Sequence, residues 1–152
     1  MAIEQRLAEL GLILPEPPAP SGFYSPVVAH GGLVYVSGQV SREDGVPVKG
    51  PVSDDTPQET IDRAGKASVL RALSLLKREL GSLDRIERIL FVRGYVLAAE
   101  GFVKHPKIVD SASKLLVDIF GEAGKHARIA VGVASLPDGG LLELELTAAL
   151  KG

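Results

Sequence analysis

The sequence contains no cysteine and no tryptophan, and only three tyrosines and four phenylalanines among 152 residues. Without cysteine there is no disulfide, no thiolate nucleophile and no cysteine-held metal. With aromatics at 5%, a platform for stacking bases is not expected. No stretch approaches the roughly 20 apolar residues that span a bilayer, so no membrane partner is expected. Neither sign of charge dominates: 17 lysines and arginines against 19 acids leave a formal net charge of -2. That balance argues against a nucleic-acid surface. His30, His105 and His126 lie far apart and show no metal-ligand spacing. They read as surface residues, and neither a metal nor a cofactor is expected. There is no glycine-rich phosphate loop and no Gly-x-Ser-x-Gly, and Ser37 has no base beside it in sequence. The start, Met-Ala-Ile-Glu-Gln-Arg-Leu, places a charge early and lacks a signal-peptide core, so a cytoplasmic location is expected.

What is present is ordinary for a folded soluble protein: 45% apolar and 24% charged residues. The length suits one domain over residues 1–152, with a core that needs no staples. Residues 2–10 read as a short helix with Ile3, Leu7 and Leu10 on one face and Gly11 as its stop. Pro15, Pro17, Pro18 and Pro20 then forbid regular structure. Residues 1–20 are therefore a helix and a stiff arm. Tyr24–His30 and Leu33–Gln39 flank Gly31-Gly32 and predict a hairpin. Residues 41–55 read as a loop. Thr56-Pro57-Gln58-Glu59 predicts a helix start with a capping box, and Gly81 ends that helix. Its apolar face is Ile61, Ala64, Ala67, Ser68, Ala72, Leu75 and Leu76. A strand over 86–97, a helix from near Pro106 to Gly121, and strands over 129–135 and 141–150 complete the chain. The last two are expected to pair as a hairpin through Pro137-Asp-Gly-Gly140.

The order β-β-α-β-α-β-β predicts an α+β, two-layer fold: a mixed sheet with two helices on one face. The other face would stay bare although its strands carry apolar residues. An exposed apolar face of that size predicts a homo-oligomer.

Arg128 opens the apolar run Ile129-Ala-Val-Gly-Val. A cation there is either paired inside the protein or available to an anion, and arginine holds a carboxylate through a two-pronged fork. The plainer reading is an edge arginine with a wet head. Glu143 and Glu145 lie two apart, on one strand face. They are either a solvated face or, through Glu143, a carboxylate that joins Arg128 across the expected hairpin to orient a water. Tyr24 sits at a strand edge. Gly38 lets a ligand or another backbone come close, or marks a bulge.

Tyr24-Ser-Pro-Val-Val-Ala, Val36-Ser-Gly-Gln39, and Ala127-Arg-Ile-Ala-Val-Gly-Val-Ala-Ser-Leu-Pro137 followed by Glu143-Leu-Glu145 occur here in one order. That set resembles the Rid/YjgF family of reactive-intermediate (imine/enamine) deaminases, in a divergent subgroup. Older labels for such chains are endoribonuclease L-PSP and translation initiation inhibitor. The resemblance runs from Tyr24 to Leu150. It implies a chorismate-mutase-like fold and a homotrimer with clefts between subunits. It also implies hydrolysis of 2-imino or 2-enamino acids to 2-keto acids and ammonia. On that pattern Arg128 binds the substrate carboxylate and Glu143 helps place the attacking water. Ala130 offers its backbone carbonyl, and Tyr24 and Gly38 line the cleft. The family's asparagine on the second helix has no match. Asp110 and Ser111 stand nearest, and an aspartate differs from an asparagine in charge and donors. That departure keeps a second reading open, a non-catalytic trimer that holds small carboxylates. A ribonuclease is the third, and the acidic balance counts against it.

Overall fold

The computed structural model describes residues 2–19 and 21–152, so Met1 and Pro20, the last proline of the expected arm, lie outside the described residues. Gly31 and Gly32 take φ of 61° and 81°, left-handed values that L side chains resist. This turn returns β1 (Val27–His30) onto β2 (Leu33–Val40) in antiparallel register. The first strand starts later than Tyr24 because Pro26 has no N–H to give a ladder. The stretch expected as a loop contains a small hairpin, β3 (Arg42–Glu43) and β4 (Val46–Pro47). Its turn is Asp44-Gly45, both at positive φ, a dipeptide that suits a tight hairpin.

Helix α2 (Gln58–Leu80) buries all seven expected face residues, with Gly81 past its end at φ 82°. The capping box is not formed. No side chain caps α2, and the Thr56 hydroxyl accepts the Ser53 N–H at 2.9 Å. Thr56 thus closes the turn before the helix. Strand β5 (Ile86–Leu97) leads through α3 (His105–Phe120) to β6 (Ala127–Val133), and β7 (Leu142–Leu150) ends the fold.

The five-stranded sheet has the order β1-β2-β7-β5-β6. Only β5 and β6 are parallel. The expected β6–β7 hairpin is therefore a correction: β5 lies between them. Helix α3 supplies the long crossover that a parallel pair needs, which puts β6 at the edge, and the Pro137–Gly139 turn carries the chain past β5 to β7.

Helices α2 and α3 cover one sheet face. Val34, Val36, Val92, Leu144, Leu146 and Ala148 pack there with Leu73, Leu76, Ala112 and Leu116 in one buried cluster. The helices come close because Gly65 has no side chain; a Cβ there would stand 2.1 Å from Ser111 Oγ. The first helix, α1 (Ile3–Glu9), and the arm are built in. Leu7 is buried, and Leu10, Leu12 and Leu14 lean on the same core. Arg6 Nε donates to the Asp118 carbonyl at 2.8 Å, and the Ile3 N–H donates to Asp84 at 2.7 Å. The opposite face carries Val28, Tyr35, Ile129 and Val131, each 41–49% exposed. Among the described residues no helix is long and apolar enough to cross a membrane.

Candidate carboxylate site and cleft

The sequence-predicted residues fall into two groups. Arg128 lies on β6 with its side chain along α3. Its Nη1 donates to Asp110 Oδ1 at 2.7 Å and to Ser113 Oγ at 3.1 Å, and its Nη2 to the Pro106 carbonyl at 3.3 Å. The Asp110 carboxylate is mostly in water, while the Arg128 side chain is largely sheltered, at 63% and 22% exposure. Asp110 thus answers the arginine's charge from the open side. Ala130 lies two residues on, on the same edge strand. Ser111 is turned elsewhere: its hydroxyl donates to the Ile108 carbonyl at 2.6 Å and faces Gly65 of α2.

Ser113 extends the Arg128 cluster to a histidine. Its hydroxyl meets His126 Nε2 at 2.9 Å, and His126 Nδ1 meets the Gly124 carbonyl at 2.6 Å. A carbonyl only accepts, so Nδ1 carries the proton and Nε2 of the neutral ring accepts from Ser113. Burial lowers the His126 pKa below its ordinary 6.5, and the nearby Arg128 adds to that. His126 is therefore half-buried, not the surface residue that its spacing suggested. His30 is exposed, and His105 packs edge-on to Phe102 with centroids 5.7 Å apart.

The second group is Tyr24, Gly38 and Glu143. They line a cleft of about 290 Å³ together with Arg42 and Arg71. The register of β2 on β7 shifts between Val36 and Gln39, so Ser37-Gly38 is a bulge. A Cβ on Gly38 would lie 2.9 Å from Glu143 Cδ and 3.0 Å from its Oε2. The missing side chain is what lets the carboxylate lie against β2. Burial first and then Glu145 push the Glu143 pKa up, and Arg42 pulls against them.

Within one protomer Glu143 does not face Arg128. Arg128 pairs with Val92 of β5, and Val92 with Leu146 of β7; Glu143 pairs with Tyr95, which pairs with Val131. One strand separates them, the register is offset by three residues, and the side chains leave opposite faces. Glu143 shares the open face with Glu145, whose Oε1 accepts from Tyr95 Oη at 3.0 Å and lies 3.7 Å from Arg93 Nε.

Arg42, Arg71, Ser113 and His126 were not singled out by motif. Arg71 had a signal, because it falls three residues after Ser68 and four after Ala67 on the buried face of α2. A charge inside an apolar helical stripe is the informative exception.

These features define a two-layer α+β protein with a cation at the sheet edge and a carboxylate in a cleft. A family model described as "YjgF/chorismate mutase-like, putative endoribonuclease" matches residues 4–150. The chain belongs to this family, the Rid/YjgF proteins, and the match takes in α1 and the arm as well as the motifs. Protein TCP17 of Trypanosoma cruzi is 33% identical over 151 residues, covering 98% of this chain and 94% of that protein. The crystal structure of a protein of unknown function from Agrobacterium tumefaciens is 35% identical, with a TM-score of 0.88 over 99% of this chain and 94% of that one. A "putative endoribonuclease" from Shewanella oneidensis is 34% identical, with a TM-score of 0.92 over 99% and 100%. At 21% identity the fold alone is shared with E. coli TdcF, solved with bound serine, with a TM-score of 0.61 over 90% and 94%.

Proposed function

We propose that this chain hydrolyses reactive 2-imino or 2-enamino acids to 2-keto acids and ammonia, in a cleft completed by a neighbouring copy in a homotrimer. The observation that carries the reading is Glu143: a carboxyl sheltered in a cleft, with its pKa raised. A base tuned upward toward working pH is suited to take a proton from water and return it. In the reaction, water oxygen bonds to C2 of the iminium while Glu143 accepts a water proton. Glu143 returns the proton to the nitrogen of the resulting amino alcohol; as the C–N bond breaks, the hydroxyl proton passes to the departing ammonia, and ammonium leaves with the 2-keto acid. Arg128 of a neighbouring copy holds the C1 carboxylate, Tyr24 and Gly38 wall the cleft, and the Ala130 carbonyl faces the leaving nitrogen. Arg128 lies on the edge strand, where its side chain keeps 22% exposure beside the open Asp110 carboxylate. An already electrophilic carbon needs orientation more than activation.

The test is keto-acid release from a freshly generated 2-imino acid. Glu143→Gln and Arg128→Ala are each expected to lower kcat/KM by about 10² or more, the scale of lost general-base and positioning contributions. Release at the buffer rate by the wild-type protein overturns the enzyme reading. One observation favours a second reading: Arg128 is already answered by Asp110 at 2.7 Å, so a ligand carboxylate must compete. A non-catalytic binder would show saturable keto-acid binding that needs Arg128, with no turnover. RNA cleavage abolished by Arg128→Ala, in nuclease-free protein, would instead support the activity named for the relatives.

A further inference from the structure

Arg71 sits on the buried face of α2 and lines the Glu143 cleft. Among the described residues its side chain has no ion-pair partner and no hydrogen bond, and its Nε is buried without a partner. Burial, and then the positive charge of Arg42, hold its pKa below the usual arginine value. Arg42 lines the same cleft, and its Nε is likewise buried and unpartnered. Its charge is answered on one side by Asp138, which accepts from Nη2. A guanidinium whose Nε is buried without an acceptor leaves a desolvated donor unsatisfied, which costs stability. Sites of this kind, charged and uncompensated beside a cleft, are where ligands supply the missing partner.

The charges say how many acid groups are missing. Asp138 answers Arg42, and among the described residues neither Glu143 nor any other acid is within ion-pair distance of Arg71. One positive charge, that of Arg71, is left over. The described residues of the arm that line the cleft, Pro18, Ala19 and Ser21, carry no charge. We infer that Arg71, supported by Arg42, is an anion subsite that takes a ligand carboxylate at the far end of the Glu143 cleft. Resting on the reading in which Arg128 takes the C1 carboxylate, this makes the substrate class a diacid: a 2-imino acid with a second, terminal carboxylate.

The experiment is calorimetric titration with 2-oxoglutarate and with 2-oxopentanoate, a monoacid of the same chain length. It is run on the wild type, Arg71→Met and Arg128→Ala, each with a melting curve. The wild type is expected to bind the diacid at least about tenfold more tightly, the scale of one charge-assisted contact. Arg71→Met is expected to bring the diacid to the monoacid's affinity with no loss in Tm; a purely structural arginine would lower Tm and leave the ratio. Equal affinities in the wild type, no binding of the diacid, or a ratio unchanged by Arg71→Met overturns the inference. The Arg128 reading fails separately, if Arg128→Ala binds the monoacid as well as the wild type does. If Arg71→Met is too unstable to assay, Arg71→Lys decides the matter. It keeps the charge but not the fork, so it should retain part of the ratio; an unchanged ratio counts against the subsite.

Discussion

Arg128 is held by residues that sequence spacing does not bring together. Asp110 and Ser113 come from successive turns of α3, and His126, which meets Ser113 and not Arg128, from the approach to β6. The cation itself was legible, because a guanidinium opening an apolar strand demands an account. Its partner in the protomer was not, since a carboxylate on an exposed helix face has many other uses. The expected partner, Glu143, was wrong for one protomer because the hairpin that would have joined them does not exist. His126 makes a pH prediction. Its folded pKa is lowered, so the unfolded chain takes a proton that the fold resists. The stability it contributes is present above about 6.5 and falls as pH drops from there through the lowered folded value. Glu143 acts in the opposite sense, because its raised pKa favours the fold on protonation. The clean measurement is therefore a difference. Between pH 7.5 and 5.5, wild-type Tm should fall more steeply than that of His126→Gln. Parallel slopes would remove His126 from the account.

At the scale of elements, periodicity did most of the work. The stripe of small residues on α2, the 86–97 strand and the glycines at 81 and 121 all stand where patterning put them. What patterning could not decide was connection. Two apolar strands joined by a Pro-Asp-Gly-Gly turn look the same whether they pair or pass one another, and only the parallel β5–β6 pair resolves it. Thr56 shows a finer limit, since Ser53, three residues upstream, offered a competing turn. The close approach of α2 and α3 rests on Gly65. An alanine would gain about 0.8–1 kcal/mol of helix propensity. Its Cβ would also meet Ser111 Oγ at 2.1 Å and the Ser111 backbone carbonyl carbon at 2.8 Å. Overpacking of that kind costs about 1–3 kcal/mol, and the backbone contact cannot rotate away. Gly65→Ala should therefore lower stability by up to about 2 kcal/mol in denaturant unfolding. Adding Ser111→Ala removes only the hydroxyl and should restore no more than part of it. A stabilised Gly65→Ala would mean the helices are free to separate.

For the whole molecule, the uncovered sheet face sets the strongest expectation. Val28, Tyr35, Ile129 and Val131 come from both edges of the sheet, so the exposed apolar surface spans its width. Between them Phe91 stacks under Arg93, at 4.5 Å, and Arg93 reaches Glu145. This pattern of an apolar surround with a few internally paired charges is what buried subunit interfaces carry. A monomer of 16.0 kDa would leave it in water, where patches of this breadth drive association. The proposed reading needs a second copy for a chemical reason too, because no single protomer brings Arg128 and Glu143 to one space. Both requirements meet in one measurement. Light scattering during size-exclusion chromatography should give a mass three times that of the chain. Ile129→Asp with Val131→Asp should shift it to the monomer, with the helical signal retained. Keto-acid release should vanish with the assembly, although neither residue touches Glu143. Mixing Arg128→Ala with Glu143→Gln chains should then restore a fraction of the activity, since mixed interfaces unite one intact Arg128 with one intact Glu143. Monomeric wild-type protein with full activity would place both residues' work inside one protomer, against the geometry of the sheet.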